Sequence, residues 1–67
     1  MSNTLIELQS LASHRPSATA SAADVAAWFR AKSRLHERLA AEARDLTSAA
    51  AYRDLARRAR ERAAALV

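Results

Sequence analysis

The chain has no cysteine, no glycine, one proline and one each of tryptophan, tyrosine and phenylalanine. Each shortage excludes something. Without cysteine there is no disulfide, and the chain fits a reducing compartment. Without glycine, the backbone lacks the residue that tight hairpins, phosphate-cradling loops and nucleophile elbows use for left-handed or closely approached positions. Two histidines, His14 and His36, cannot build a zinc site alone. No apolar run approaches the roughly 20 residues that span a bilayer. The opening "MSNTLIELQS" has neither a basic segment nor an apolar core of the signal-peptide kind. The expectation is therefore a cytoplasmic protein, without cofactor, metal or membrane span.

What is present favours helix. Alanine accounts for 19 of the 67 residues, arginine for ten and leucine for eight; these and glutamate are strong helix formers. The net charge is +4, and ten of the eleven basic residues are arginine. Arginine suits bidentate contacts with phosphate or carboxylate. A GC-rich bacterial genome would also enrich alanine and arginine together, so the placement of the charges is more informative than their number. At this length one domain is the ceiling, and its core supplies only about 3–5 kcal/mol without a staple. With no disulfide, the remaining staple is association.

Three helices are predicted in a single domain over 1–67, at about 4–13, 21–45 and 48–66. The first opens on "TLIE", Thr4 to Glu7, a capping-box pattern. Leu5, Leu8 and Ala12 would share one face, and Pro16 disfavours helix at Arg15. "RPSATA" is a linker by composition. The second opens on "SAAD", Ser21 to Asp24, another hydroxyl followed by a carboxylate three residues on. Val25, Trp28, Phe29, Leu35, Leu39, Ala43 and Leu46 fall within an arc of about 120°. Arg30, Arg34, Glu37, Arg38 and Ala41 occupy the opposite side. A turn is placed at Asp45–Ser48, with Thr47 or Ser48 as the next N-cap. In the third helix Tyr52, Leu55, Ala56, Ala59, Ala63 and Leu66 share a stripe of about 100°, while Arg53, Arg57 and Arg60 form an outer flank.

A short connection makes neighbouring helices antiparallel. The fold class is thus all-α: an antiparallel helical hairpin with a short N-terminal helix packed at its open end. There, Trp28 and Phe29 are expected to meet Leu66 and Val67.

No motif points to catalysis. "LHERL" departs from HExxH, because Ala40 stands where the second histidine belongs. His36 reads as a packed or boundary histidine, and His14 as a helix-end cation. Serines and threonines fall near caps, linkers and turns, where they satisfy backbone groups. Asp54 can pair with Arg57 or Arg58, and Arg57 with Glu61. Lys32 is unusual, because it falls near the centre of the apolar arc. Its stem can lie on apolar surface while the ammonium reaches water, or it can mark a helix–helix seam.

These features predict a non-enzymatic protein-interaction or regulatory module with no small-molecule substrate. It would self-associate or dock on a protein partner through Trp28, Phe29, Lys32, Leu35, Leu39, Tyr52, Leu55, Ala59 and Leu66. The alternative is a small basic DNA-associated protein that contacts nucleic acid through Arg53, Arg57 and Arg60. Acidic residues interrupt that flank, which favours a solvated face.

Overall fold

The computed structural model describes residues 3–66. They form three helices: α1, Asn3–Ser13; α2, Ala22–Glu42; and α3, Leu46–Ala65. α2 and α3 make a tightly packed antiparallel hairpin, and α1 lies against α2 alone. The result is a compact all-α unit of flattened shape, with principal extents of 39 × 23 × 12 Å.

The hairpin is held by small side chains at heptad spacing. Ala26, Ser33 and Ala40 on α2, and Ala49, Ala56 and Ala63 on α3, are all buried. The Ser33 hydroxyl donates to the Ala56 carbonyl at 2.9 Å, fixing the register at the centre of the seam. Seven residues away in opposite directions, that register sets Ala26 opposite Ala63 and Ala40 opposite Ala49. Side chains this short let two backbones approach closely, and close approach lets a serine reach the main chain of a facing helix.

The end of each element follows from local chemistry. The Ser21 hydroxyl accepts from the Asp24 N–H at 3.1 Å, capping α2 as its sequence implies. α2 stops at Glu42 rather than near Asp45, and α3 begins at Leu46 rather than at Ser48. The cause is Asp45, which is itself the N-cap. Its carboxylate accepts from the Ser48 N–H at 2.7 Å and from the Ser48 hydroxyl at 2.9 Å. Ala43 and Asp45 are extended, and no described residue has a positive φ, so the connection needs no glycine.

The first helix departs from its sequence reading. Thr4 lies inside α1, not at its cap, and is 1% exposed. Its hydroxyl donates to Glu42 at 2.8 Å, while Glu7 pairs with Arg38 at 2.6 Å. No capping box joins Thr4 and Glu7, because both side chains are engaged by α2. The packed face is therefore buried Thr4 with half-buried Leu8 and Leu11, and Leu5 turns outward at 50% exposure. α1 reaches the open end of the hairpin, where the Trp28 indole N–H donates to the Leu11 carbonyl at 3.0 Å. From there it extends back along α2 to the closed end, at Glu42.

Candidate functional site

A flattened unit has two broad faces. On one, Leu5 of α1, Leu39 and Ala43 of α2, and Tyr52 of α3 line a shallow groove of about 340 Å³ at the closed end, with Glu42, Arg44, Asp45 and Ser48 at its rim. On the other, Ala40, Ala41 and Ala50 floor a groove of about 620 Å³ walled by Glu37, Arg53, Asp54, Arg57 and Arg60. At 100° per residue Leu39 and Ala41 point about 160° apart, so the two grooves open on opposite sides.

The residues expected to meet a partner divide between core and surface. Leu35, Leu39 and Ala59 are buried inside the fold. Trp28, Phe29, Lys32, Tyr52 and Leu66 are half-buried, and Leu55 is 40% exposed. Trp28 turns toward α1 and takes its hydrogen bond there, rather than facing α3. Phe29 turns to α3, where the Arg62 guanidinium lies 5.9 Å from its ring centre. The expected contact with Val67 falls outside the described residues. Sequence reasoning missed Leu5 and Ile6 as exposed apolar groups, and placed Leu46 on an apolar arc, although it is 86% exposed. The signal for Leu5 was available: Thr4, Leu8 and Leu11 sit at i, i+4, i+7, which leaves Leu5 off the packed face.

Lys32 is resolved by its neighbours. Its ammonium lies 5.6 Å from the Trp28 ring centre, and the Arg15 guanidinium lies 5.1 Å from the same ring. The indole and the Phe29 ring meet edge-on at 5.1 Å. Three cations from three parts of the chain thus surround one aromatic pair, an arrangement that ring quadrupoles favour.

His36 is a packed histidine. It is 5% exposed, its Nδ1–H donates to the Lys32 carbonyl at 3.0 Å, and its ring lies 6.3 Å from that of Tyr52. Burial pushes its pKa below the ordinary histidine value, and the Lys32 charge pushes the same way. His14 caps its own helix end, with Nδ1 2.8 Å from the Ser10 carbonyl.

The arginine flank is largely neutralised. Arg57 bonds both Asp54 and Glu61, Arg58 bonds Asp54, and Arg60 reaches across the hairpin to Glu37. The guanidinium of Arg57 holds the Asp54 carboxyl below the usual range, and hydrogen bonds from Ser48 do the same for Asp45. Of the trio Arg53, Arg57 and Arg60, only Arg53 lacks a carboxylate partner among the described residues. No three histidine, aspartate or glutamate side chains gather in a metal-holding cluster there, and no described helix is long and apolar enough to cross a membrane. Compared with family models, curated proteins and solved structures, the chain matches none.

Proposed function

We propose that this chain is a non-enzymatic helical interaction module, which docks through the face bearing Leu5, Tyr52 and Leu55 onto a protein partner or a second copy of itself. The observation that carries this reading is surface in excess of size. The chain exposes 4773 Å², against about 4,200 Å² for a compact protein of 7.3 kDa. Its radius of gyration is 12.4 Å, against about 11 Å for this length. α1 and α3 both lean on α2 and not on each other, so one side of the unit has helices along it but nothing over it. Exposed Leu5 and Leu55 and half-buried Tyr52 lie on that side. Covering them would add the apolar burial that so small a core lacks.

The test is mass in solution together with thermal melting over a wide range of protein concentration. A self-associating chain melts higher as its concentration rises, and the double change Leu5→Asp and Leu55→Asp should remove that dependence while leaving the helical spectrum intact. Monomer mass and a concentration-independent melt would reject a second copy as the occupant. An unchanged concentration dependence in the double variant would reject this face.

A further inference from the structure

The docking face is polarised along its length. Lys32 lies seven residues before Leu39 on α2, and Arg62 seven residues after Leu55 on α3. Two turns of helix return a side chain to nearly the same face. Because the helices are antiparallel, both steps run toward the open end of the hairpin. Arg15, just beyond the end of α1, is the third cation at that end. The closed half therefore presents Leu5 and Tyr52 over buried Leu39, and Leu55 lies near mid-length, about level with Lys32 across the seam. The open half presents Arg15, Lys32 and Arg62 around the Trp28–Phe29 pair.

Four of the chain's ten arginines are held by its own acids, and these three cations belong with Arg30, Arg34, Arg44 and Arg53 to the set that, among the described residues, is not. Arg38, Arg57, Arg58 and Arg60 are matched by carboxylates. Arg15, Lys32 and Arg62 form no ion pair among the described residues. The chain has few carboxylates left to offer them: Glu7, Glu37, Glu42, Asp45, Asp54 and Glu61 are each hydrogen-bonded to another side chain. Asp24, in the first turn of α2, is the one acidic side chain among the described residues not so engaged, and three cations outnumber it, so net positive charge at the open end is available to an outside anion. Set beside an apolar groove, it also has a fixed distance from that groove, about 10 Å along α2.

Resting on the docking reading above, we propose that the occupant of this face is an acidic amphipathic helix of a protein partner. Apolar side chains at i, i+3 or i+4 fill the groove at Leu5, Leu39 and Tyr52 and cover Leu55, one turn beyond Tyr52 on α3. Aspartate or glutamate side chains about seven residues away meet Lys32, Arg62 and Arg15. A second copy of this chain fits less well. Laid open end to open end it sets cation against cation. Turned end for end, it offers Glu42 and Asp45, which are already bound to Thr4 and Ser48 and have Arg44 beside them in the groove rim. Nucleic acid has charge to offer, but no apolar ridge for the groove.

The probe is a pair of synthetic helical peptides of about 20 residues, long enough to cover both halves at 1.5 Å per residue. They share one leucine stripe and carry either glutamate or lysine one heptad from it. Binding to the intact protein is read by the fluorescence of Trp28, the chain's only tryptophan. The glutamate peptide should bind at least tenfold more tightly at low salt, and the preference should shrink as salt screens it. In Lys32→Glu with Arg62→Glu the preference should reverse. In Leu5→Asp with Leu55→Asp both peptides should bind weakly. Equal affinity for the two peptides, lost in the leucine variant, would overturn the acidic partner and leave the docking face standing. Failure of both peptides with the protein monomeric, or binding indifferent to the leucine changes, would overturn the face as well. A dimer that excludes both peptides would put a second copy on the face instead, and a random duplex that binds more tightly than the glutamate peptide and needs Lys32 and Arg62 would assign it to nucleic acid.

Discussion

Two side chains that composition alone would send to the surface, Ser33 and His36, are buried on the α3-facing side of α2. Each is tolerated because its polar atoms are satisfied, Ser33 by the Ala56 carbonyl and His36 by the Lys32 carbonyl. An unmade hydrogen bond there would cost more than a made one contributes. For His36 this makes a pH response. The folded pKa lies below the ordinary histidine value of about 6.5, first because burial disfavours imidazolium and then because Lys32 repels it. The folded state therefore binds fewer protons than the unfolded chain as pH falls through that range. The stability that neutral His36 permits is complete above pH 6.5 and is lost progressively as pH falls toward the lowered value. The carboxylates with lowered pKa, Asp45 and Asp54, act in a separate and more acidic window, since each departs downward from 3.8. Melting temperatures measured between pH 7.5 and about pH 5 should fall for the native chain and stay nearly level for His36→Phe. An equal fall in both would show that the response belongs to another group.

At the level of the helix, the hairpin seam is a matter of shape more than of hydrophobicity. Ala59 is 4% exposed and Ala64 is exposed, although both are alanines on one helix. Ala59→Leu should overpack the seam and cost about 1–3 kcal/mol, whereas Ala64→Leu should leave the melting curve nearly unchanged. Equal losses in chemical denaturation would mean that α3 is rotated from the face assigned to it. Much of this element was readable from sequence. The alanine stripe of α3, the Ser21 cap and the pairing of Asp54 and Glu61 with their arginines follow from composition and from i, i+3 and i+4 spacing. What was not readable depends on residues distant in the chain. Thr4 has the credentials of an N-cap, and only the approach of Glu42, 38 residues away, turns it into a buried contact and rotates Leu5 outward. Ser33 scores as polar, so its heptad place among Ala26 and Ala40 shows only when smallness, not apolarity, is followed along the helix. Asp45 reads as the first residue of the turn, but it takes the cap from Thr47 and Ser48 because its carboxylate accepts from both Ser48 donors. Aromatic and leucine content marked α2 and α3 as the helices to meet a partner. It could not separate Leu35 and Leu39, buried within the unit, from Leu5 and Leu55, left outside it.

Across the whole molecule four of the ten arginines are held by internal acids, and three of them, Arg57, Arg58 and Arg60, lie on the third helix. Its flank of Arg53, Arg57 and Arg60 opens on the side away from the apolar groove, over the alanine floor formed by Ala40, Ala41 and Ala50. Asp54, Glu61 and Glu37 bind Arg57 and Arg60, so a polyanion would have to displace internal carboxylates before it gained those contacts. A phosphate-gripping face gains from releasing counterions, and here the counterions are tethered to the protein itself. Replacing Arg53, Arg57 and Arg60 together with glutamine should therefore do little to peptide docking on the opposite face. It should lower the melting temperature only slightly, since exposed ion pairs contribute little. Binding of the native chain to random duplex DNA should be weak at physiological salt. If these arginines do hold phosphates, the triple variant should lose affinity for every duplex alike, and the dependence on salt should flatten by about one unit for each contact removed. Fluorescence titrations of both proteins against duplex DNA at two salt concentrations separate the cases. Micromolar or tighter binding at physiological salt that disappears in the triple variant would move the function from the apolar face to the arginine flank. Weak binding in both proteins, with peptide docking intact, would leave the flank as a solvated surface whose acids hold its own arginines.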